Sequence, residues 1–154
     1  MKGPAERLAA LGLTLPPVVA PLAAYVPAVV AGGFVYTSGQ LPMVDGKLSA
    51  VGKVGGEVSA QEAADLARTC ALNAIAAAAA AAGGLDAISR VVKVTGFVAS
   101  APGFSGQPQV VNGASELLIE MFGEDGRHAR SAIGVAELPL NAPVEVELIA
   151  QIRS

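Results

Sequence analysis

His128-Ala-Arg-Ser-Ala-Ile-Gly-Val-Ala-Glu-Leu-Pro-Leu-Asn-Ala-Pro-Val-Glu-Val-Glu-Leu-Ile-Ala150 sets charged side chains inside an otherwise apolar segment. Its β-branched and apolar residues divide into two strands joined by a turn that Pro139 and Pro143 bound. Arg130 opens the first strand, Glu137 lies near the turn, and Glu145 and Glu147 sit in the second. Charges inside an apolar segment are costly unless they are paired or used. Arg130 and Glu145 are therefore candidates for function, with an ion pair across a subunit interface as the structural alternative. Glu147 shares a strand face with Glu145 by period two and reads as a supporting residue. His128, the only histidine, reads as a solvated residue of the Gly126-Arg127-His128 turn rather than a proton shuttle.

Working outward, Ile88 to Ala99 is rich in β-branched residues and predicts a strand. Val92, Val94, Gly96 and Val98 would line one face, and Val91, Lys93, Thr95 and Phe97 the other. A helix is predicted from near Pro108 to Phe122, with Val111, Leu118 and Phe122 in its apolar stripe, ended by Gly123 to Gly126. Ser59-Ala-Gln-Glu62 matches a capping box, and the helix it starts runs through Leu66, Cys70, Asn73 and an alanine run to Gly83-Gly84. Tyr25 to Val30 and Phe34 to Ser38 read as strands divided by Ala31-Gly-Gly33. Asp45-Gly46 is a turn, and the segment on to Gly56 reads as an extended surface connection. Pro4 to Leu11 reads as a short helix forming an outer appendage. The order strand, strand, helix, strand, helix, strand, strand predicts an α+β fold. Two βαβ-type crossovers would pack both main helices on one face of a mixed sheet.

Charged residues are 15% of the chain and apolar ones 53%, against roughly 25% charged in an ordinary soluble domain. The excess apolar surface needs a membrane or a subunit interface. Leu8 to Val44 carries no charged side chain, but Pro16, Pro17, Pro21 and Pro27 break any helix there. No membrane partner is expected, and export is disfavoured because Glu6, Arg7 and the proline pair interrupt a signal-like pattern. An obligate homo-oligomer is the preferred reading. A net charge of -3 argues against general attraction to phosphate backbones, so nucleic acid is not an expected partner. One cysteine, Cys70, allows no intrachain disulfide, offers no metal cluster, and suits a reducing cytoplasm. The chain reads as one domain, residues 1–154, with residues 1–20 as an amino-terminal extension.

Several segments together resemble the RidA/YjgF family of enamine/imine deaminases, formerly called L-PSP endoribonucleases. They are Tyr25-Val-Pro-Ala, Tyr36-Thr-Ser-Gly-Gln-Leu-Pro42, Val92-Lys-Val-Thr-Gly-Phe-Val98, Val111-Asn112, Ala129-Arg-Ser131, Val135-Ala-Glu-Leu-Pro139 and Val144-Glu-Val-Glu147. The resemblance implies a chorismate-mutase-like fold, assembled as a homotrimer with ligand clefts between subunits. It implies hydrolysis of small imino or enamino acids, such as 2-aminoacrylate and 2-iminopropanoate, to a 2-oxo acid and ammonia. No cofactor and no metal are implied, since the imine is already electrophilic.

By the same resemblance Arg130 would grip the substrate carboxylate, for which its planar fork is suited, and Glu145 would handle the attacking water. Ser38 and Gly39 would line the cleft, and Tyr25 and Asn112 would close or order it, the alternatives being ordinary packing for Tyr25 and a polar residue at the helix start for Asn112. The chain departs from many members in carrying Ala132 where they have cysteine and Ala23-Ala24 where they have Gly-Pro. It also has a longer amino-terminal arm and a longer segment between Pro42 and Ser59, as in a longer branch of the family. A non-catalytic module binding a small carboxylate is the alternative. Endoribonuclease chemistry ranks third, for want of basic or aromatic surface.

Overall fold

The computed structural model of the chain describes residues 2–154. In chain order it contains helix α1 (Pro4–Ala10), strands β1 (Ala28–Ala31), β2 (Phe34–Thr37), β3 (Met43–Val44) and β4 (Lys47–Leu48), and helix α2 (Ala60–Ala82). Strand β5 (Ile88–Ala99), helix α3 (Gln107–Phe122), and strands β6 (Ala129–Val135) and β7 (Val144–Ile152) complete it. Five strands form one mixed sheet in the order β1-β2-β7-β5-β6, while β3 and β4 make a separate hairpin around Asp45-Gly46. β5 and β6 run parallel across the α3 crossover, and the other ladders are antiparallel. The α+β architecture expected from the order of elements is the one observed.

The quoted stretch folds differently from a simple strand pair. β6 and β7 are joined but never pair, because β5 lies between them. β5 is the longest strand and bonds on both flanks. At its end Ala99 N–H donates to the Pro143 carbonyl (2.9 Å), and just beyond it Ser100 N–H donates to that of Val135 (3.1 Å). A register shift between Val91 and Lys93 also changes the faces of β5. Val91 is buried on the helix side with Val94 and Val98, not on the side of Lys93 and Phe97.

Helix α2 starts on Ser59, whose hydroxyl accepts from Glu62 N–H (3.1 Å), and stops at Gly83, whose φ of 96° suits a residue without Cβ. Its alanines let α3 come very close. A Cβ on Gly113 would lie 2.7 Å from the carbonyl carbon of Ala64 and 3.2 Å from its Cα. Between the helices and the sheet, Ala67, Ala74, Leu117 and Leu118 pack with Val35, Val91, Val146 and Leu148.

Three further expectations are corrected. The first strand begins at Ala28, not Tyr25. Pro27 has no amide to give a ladder, and the Tyr25 amide turns back to the Ala23 carbonyl (2.9 Å). Helix α1 is no appendage, since Leu8 is buried in the main core and the Asp86 carboxylate accepts from the Ala5 amide (3.1 Å). Nor is the segment before Ser59 merely a surface connection. Val54 and Val58 are fully buried, and Val54 exchanges backbone bonds with Ala99 and Ala101 (2.8 and 3.0 Å). Lys53 pairs there with Glu137, tying this segment to the connection after β6. Among the described residues no helix is long and apolar enough to cross a membrane.

Candidate functional site

Arg130 sits on β6, an edge strand, opposite Val94 of β5. Paired residues share a face, and Val94 is fully buried toward the helices, so Arg130 points to the helix side. Its Nη1 donates to Asn112 Oδ1 (2.8 Å) and Ser115 Oγ (3.2 Å), and its Nη2 to the Pro108 carbonyl (3.2 Å). All three partners belong to α3, whose residues 112 and 115 fall on one face at i, i+3. Among the described residues none of them is a carboxylate, so the guanidinium is oriented by neutral groups and its charge stays uncompensated.

Glu145 sits on β7 opposite Phe97, on the other face of the sheet. Its carboxyl lies against Gly39, where an added Cβ would come within 2.7 Å of Cδ and 3.1 Å of Cγ. Burial, and secondarily the charge of Glu147, raises its pKa above the ordinary carboxylate value. The loop carrying Gly39 is tightly held. Ser38 N–H donates to the Pro27 carbonyl (2.8 Å), Ser38 Oγ donates to that of Val26 (2.6 Å), and Gln40 and Val146 exchange backbone bonds (2.8 and 3.0 Å). Asn73, buried in α2, donates to the Leu41 and Met43 carbonyls (3.1 and 2.9 Å) and fixes the far end of the loop. Tyr25 and Gly39 border a pocket of only about 20 Å³, and the Tyr25 hydroxyl accepts from the Leu22 amide (3.1 Å).

The residues expected at one site thus form two groups within the chain. Arg130 is brought together with Asn112, while Glu145 is brought together with Gly39 and its loop, next to Ser38 and Tyr25. The two groups lie on opposite faces of the sheet, so Arg130 and Glu145 do not meet within one chain. His128 is also not the solvated turn residue expected. It is half-buried, with Nε2 2.9 Å from Ser115 Oγ and Nδ1 2.6 Å from the Gly126 carbonyl. Sequence reading missed Ser115, Gln40 and Asn73. The Asn112-x-x-Ser115 spacing was the available signal for the first, while the other two needed the path of the loop.

Residues 5–152 match a family model described as "YjgF/chorismate mutase-like, putative endoribonuclease". The chain belongs to the YjgF/chorismate-mutase-like family. It is 43% identical to Protein TCP17 of Trypanosoma cruzi over 97% of this chain and 94% of that protein. Among solved structures it is similar to Atu1372 of Agrobacterium tumefaciens, a protein of unknown function. That match has a TM-score of 0.88 and 48% identity, covering 95% of this chain and 90% of that one. The YjgF-family likeness extends to E. coli TdcF with bound serine, at a TM-score of 0.59 and 29% identity, covering 90% and 93% of the two chains.

Proposed function

We propose that this YjgF-family chain hydrolyses small imino or enamino acids to a 2-oxo acid and ammonia, in a cleft completed by a second copy of itself. The observation that carries the reading is the Arg130 guanidinium. Of the five N–H donors an arginine has, three are engaged by Asn112, Ser115 and Pro108, leaving Nε–H and one Nη2–H. Two donors are what a carboxylate takes up in a bidentate contact. The serine bound to TdcF is a ligand of the matching chemistry, a small α-amino acid.

Water adds to the C=N carbon of the substrate, the nitrogen gains protons and leaves as ammonia, and the carbon becomes the carbonyl of the 2-oxo acid. Glu145 supplies a carboxyl whose raised pKa suits it to take a proton from the attacking water and give one to nitrogen. The pocket beside Gly39 has room for roughly one water. A substrate therefore needs a wall from elsewhere, and a neighbour's Arg130 edge would supply it. Tyr36 and Ile133, both left exposed on the outer sheet face, would be covered in the same assembly, a trimer in this reading.

The test generates the imino acid in situ with an amino-acid oxidase or dehydratase and follows its disappearance. Wild type should accelerate the loss, and Arg130→Ala should abolish the acceleration. Equal rates with and without wild-type protein would refute the reading for that substrate. Light scattering tests the assembly, for which a stable 15.3 kDa monomer would be the contrary result.

A further inference from the structure

We propose that Ser115 and His128 are positioning residues that set the direction of the Arg130 fork through a one-way chain of hydrogen bonds. This inference rests on Arg130 as the carboxylate grip. The polarity of the chain follows from its fixed end. The Gly126 carbonyl can only accept, so His128 Nδ1, 2.6 Å away, carries the proton. In a neutral imidazole Nε2 is then an acceptor, and the Ser115 hydroxyl, 2.9 Å away, donates to it. With its proton spent, Ser115 Oγ offers lone pairs to Arg130 Nη1 at 3.2 Å. The other hydrogen of Nη1 goes to Asn112, so that end of the fork is fully used.

The fixed end is itself built by packing. Gly126 is buried, and a Cβ there would stand 2.8 Å from the Ile119 Cα of α3, so only glycine brings the carbonyl this close to the helix. Burial and the Arg130 charge hold the His128 pKa below its ordinary value, opposed by the Gly126 bond. Other charged groups on the surrounding elements are Glu116 and Glu120 on α3, the latter paired with Arg68, Glu124, Asp125 and Arg127 in the turn, and Arg90 and Lys93 on β5. Glu124 is paired with Arg127, and Arg130 is the charge that bears on the imidazole. A neutral His128 is what the chain requires, since a protonated Nε2 would take away the acceptor of the serine proton and set two cations on one serine oxygen.

His128 is the sole histidine, so its ring resonances are unambiguous by NMR. The wild-type ring should show the Nδ1–H tautomer and titrate below its ordinary value. Adding 2-oxobutanoate as a carboxylate probe should raise that pKa by offsetting the Arg130 charge, and should leave it unmoved in Arg130→Ala. In the imine assay Ser115→Ala should raise KM about tenfold with kcat little changed, the weight of one hydrogen bond to a charged group. Ser115→Thr, which keeps a hydroxyl, should restore KM. An Nε2–H tautomer, or a Ser115→Ala protein that is folded with unchanged KM, would overturn the proposal. If wild type hydrolyses no imine and binds no 2-oxobutanoate, the proposed function fails. The relay is then still decided by the tautomer and by whether Arg130→Ala raises the His128 pKa.

Discussion

Gly39→Ala separates a positional role of Glu145 from its mere presence. Gly39 is not among the positive-φ glycines, so alanine is permitted by the backbone and the only new term is steric. The added methyl would stand 2.7 Å from Glu145 Cδ, well inside van der Waals contact. Either the loop or the carboxylate must yield. The loop is held by the Ser38 and Gln40 bonds at 2.6 to 3.0 Å, whereas turning a glutamate off its preferred rotamer costs about 0.5–1.5 kcal/mol. The carboxylate gives way. The melting temperature should fall by only a few degrees, since about 1 kcal/mol moves it roughly 2–4 °C at this size. Displacing a reacting group by about 1 Å costs on the order of 100-fold in rate, so kcat for imine hydrolysis should drop by about that factor with KM preserved. The assay is steady-state hydrolysis of imine generated in situ, beside a thermal melt. A folded Gly39→Ala protein within about threefold of wild-type kcat would refute the reasoning. So would a further loss when the change is added to Glu145→Ala.

Gly113→Ala meets backbone instead of a movable side chain. It should lower stability by about 1–3 kcal/mol in urea denaturation despite the better helix propensity of alanine, and an unchanged midpoint would contradict the close helix approach. Asn73→Ala strips two carbonyls of their donor inside the core. It should cost about 1–3 kcal/mol and speed amide exchange at Met43, and unaltered exchange would count against its role as the loop anchor. The folded-state pKa of Glu145 is raised, so its ionisation opposes folding. The resulting stability is full below the ordinary carboxylate pKa and lost as pH rises through the folded value. Glu145→Gln should therefore raise the melting temperature at neutral pH, with a gain that vanishes in acid, and a gain independent of pH would be the contrary result.

The parts of the fold legible in the sequence are those that depend on local chemistry. Ser59 and Gly83 bound α2 as their capping chemistry requires, and the alternation of Val144, Val146 and Leu148 gives β7 its buried face. What could not be read depends on partners far along the chain. The bulge at Val91 to Lys93 is visible only in the register with β7, and β5 comes between β6 and β7 because the α3 crossover returns β6 to its free edge. Residue identity singled out Arg130 and Glu145, but their faces follow from pairing with Val94 and Phe97, which periodicity within one strand cannot supply. The burial of His128 depends on Gly126 docking against α3, and a turn composition of Gly-Arg-His gives no hint of it.

In the proposed assembly, the separation of Arg130 and Glu145 onto opposite faces of the sheet has a genetic consequence. In a closed ring whose sites each take the arginine from one copy and the glutamate from the next, two dead variants repair one another. Chains carrying Arg130→Ala mixed with chains carrying Glu145→Gln would regain about a quarter of the sites on random assembly. A protein bearing both changes on every chain would regain none. Two inactive alleles expressed in one cell would then behave as a partly active one, and a hybrid of the two purified variants would report directly which copy lends which half.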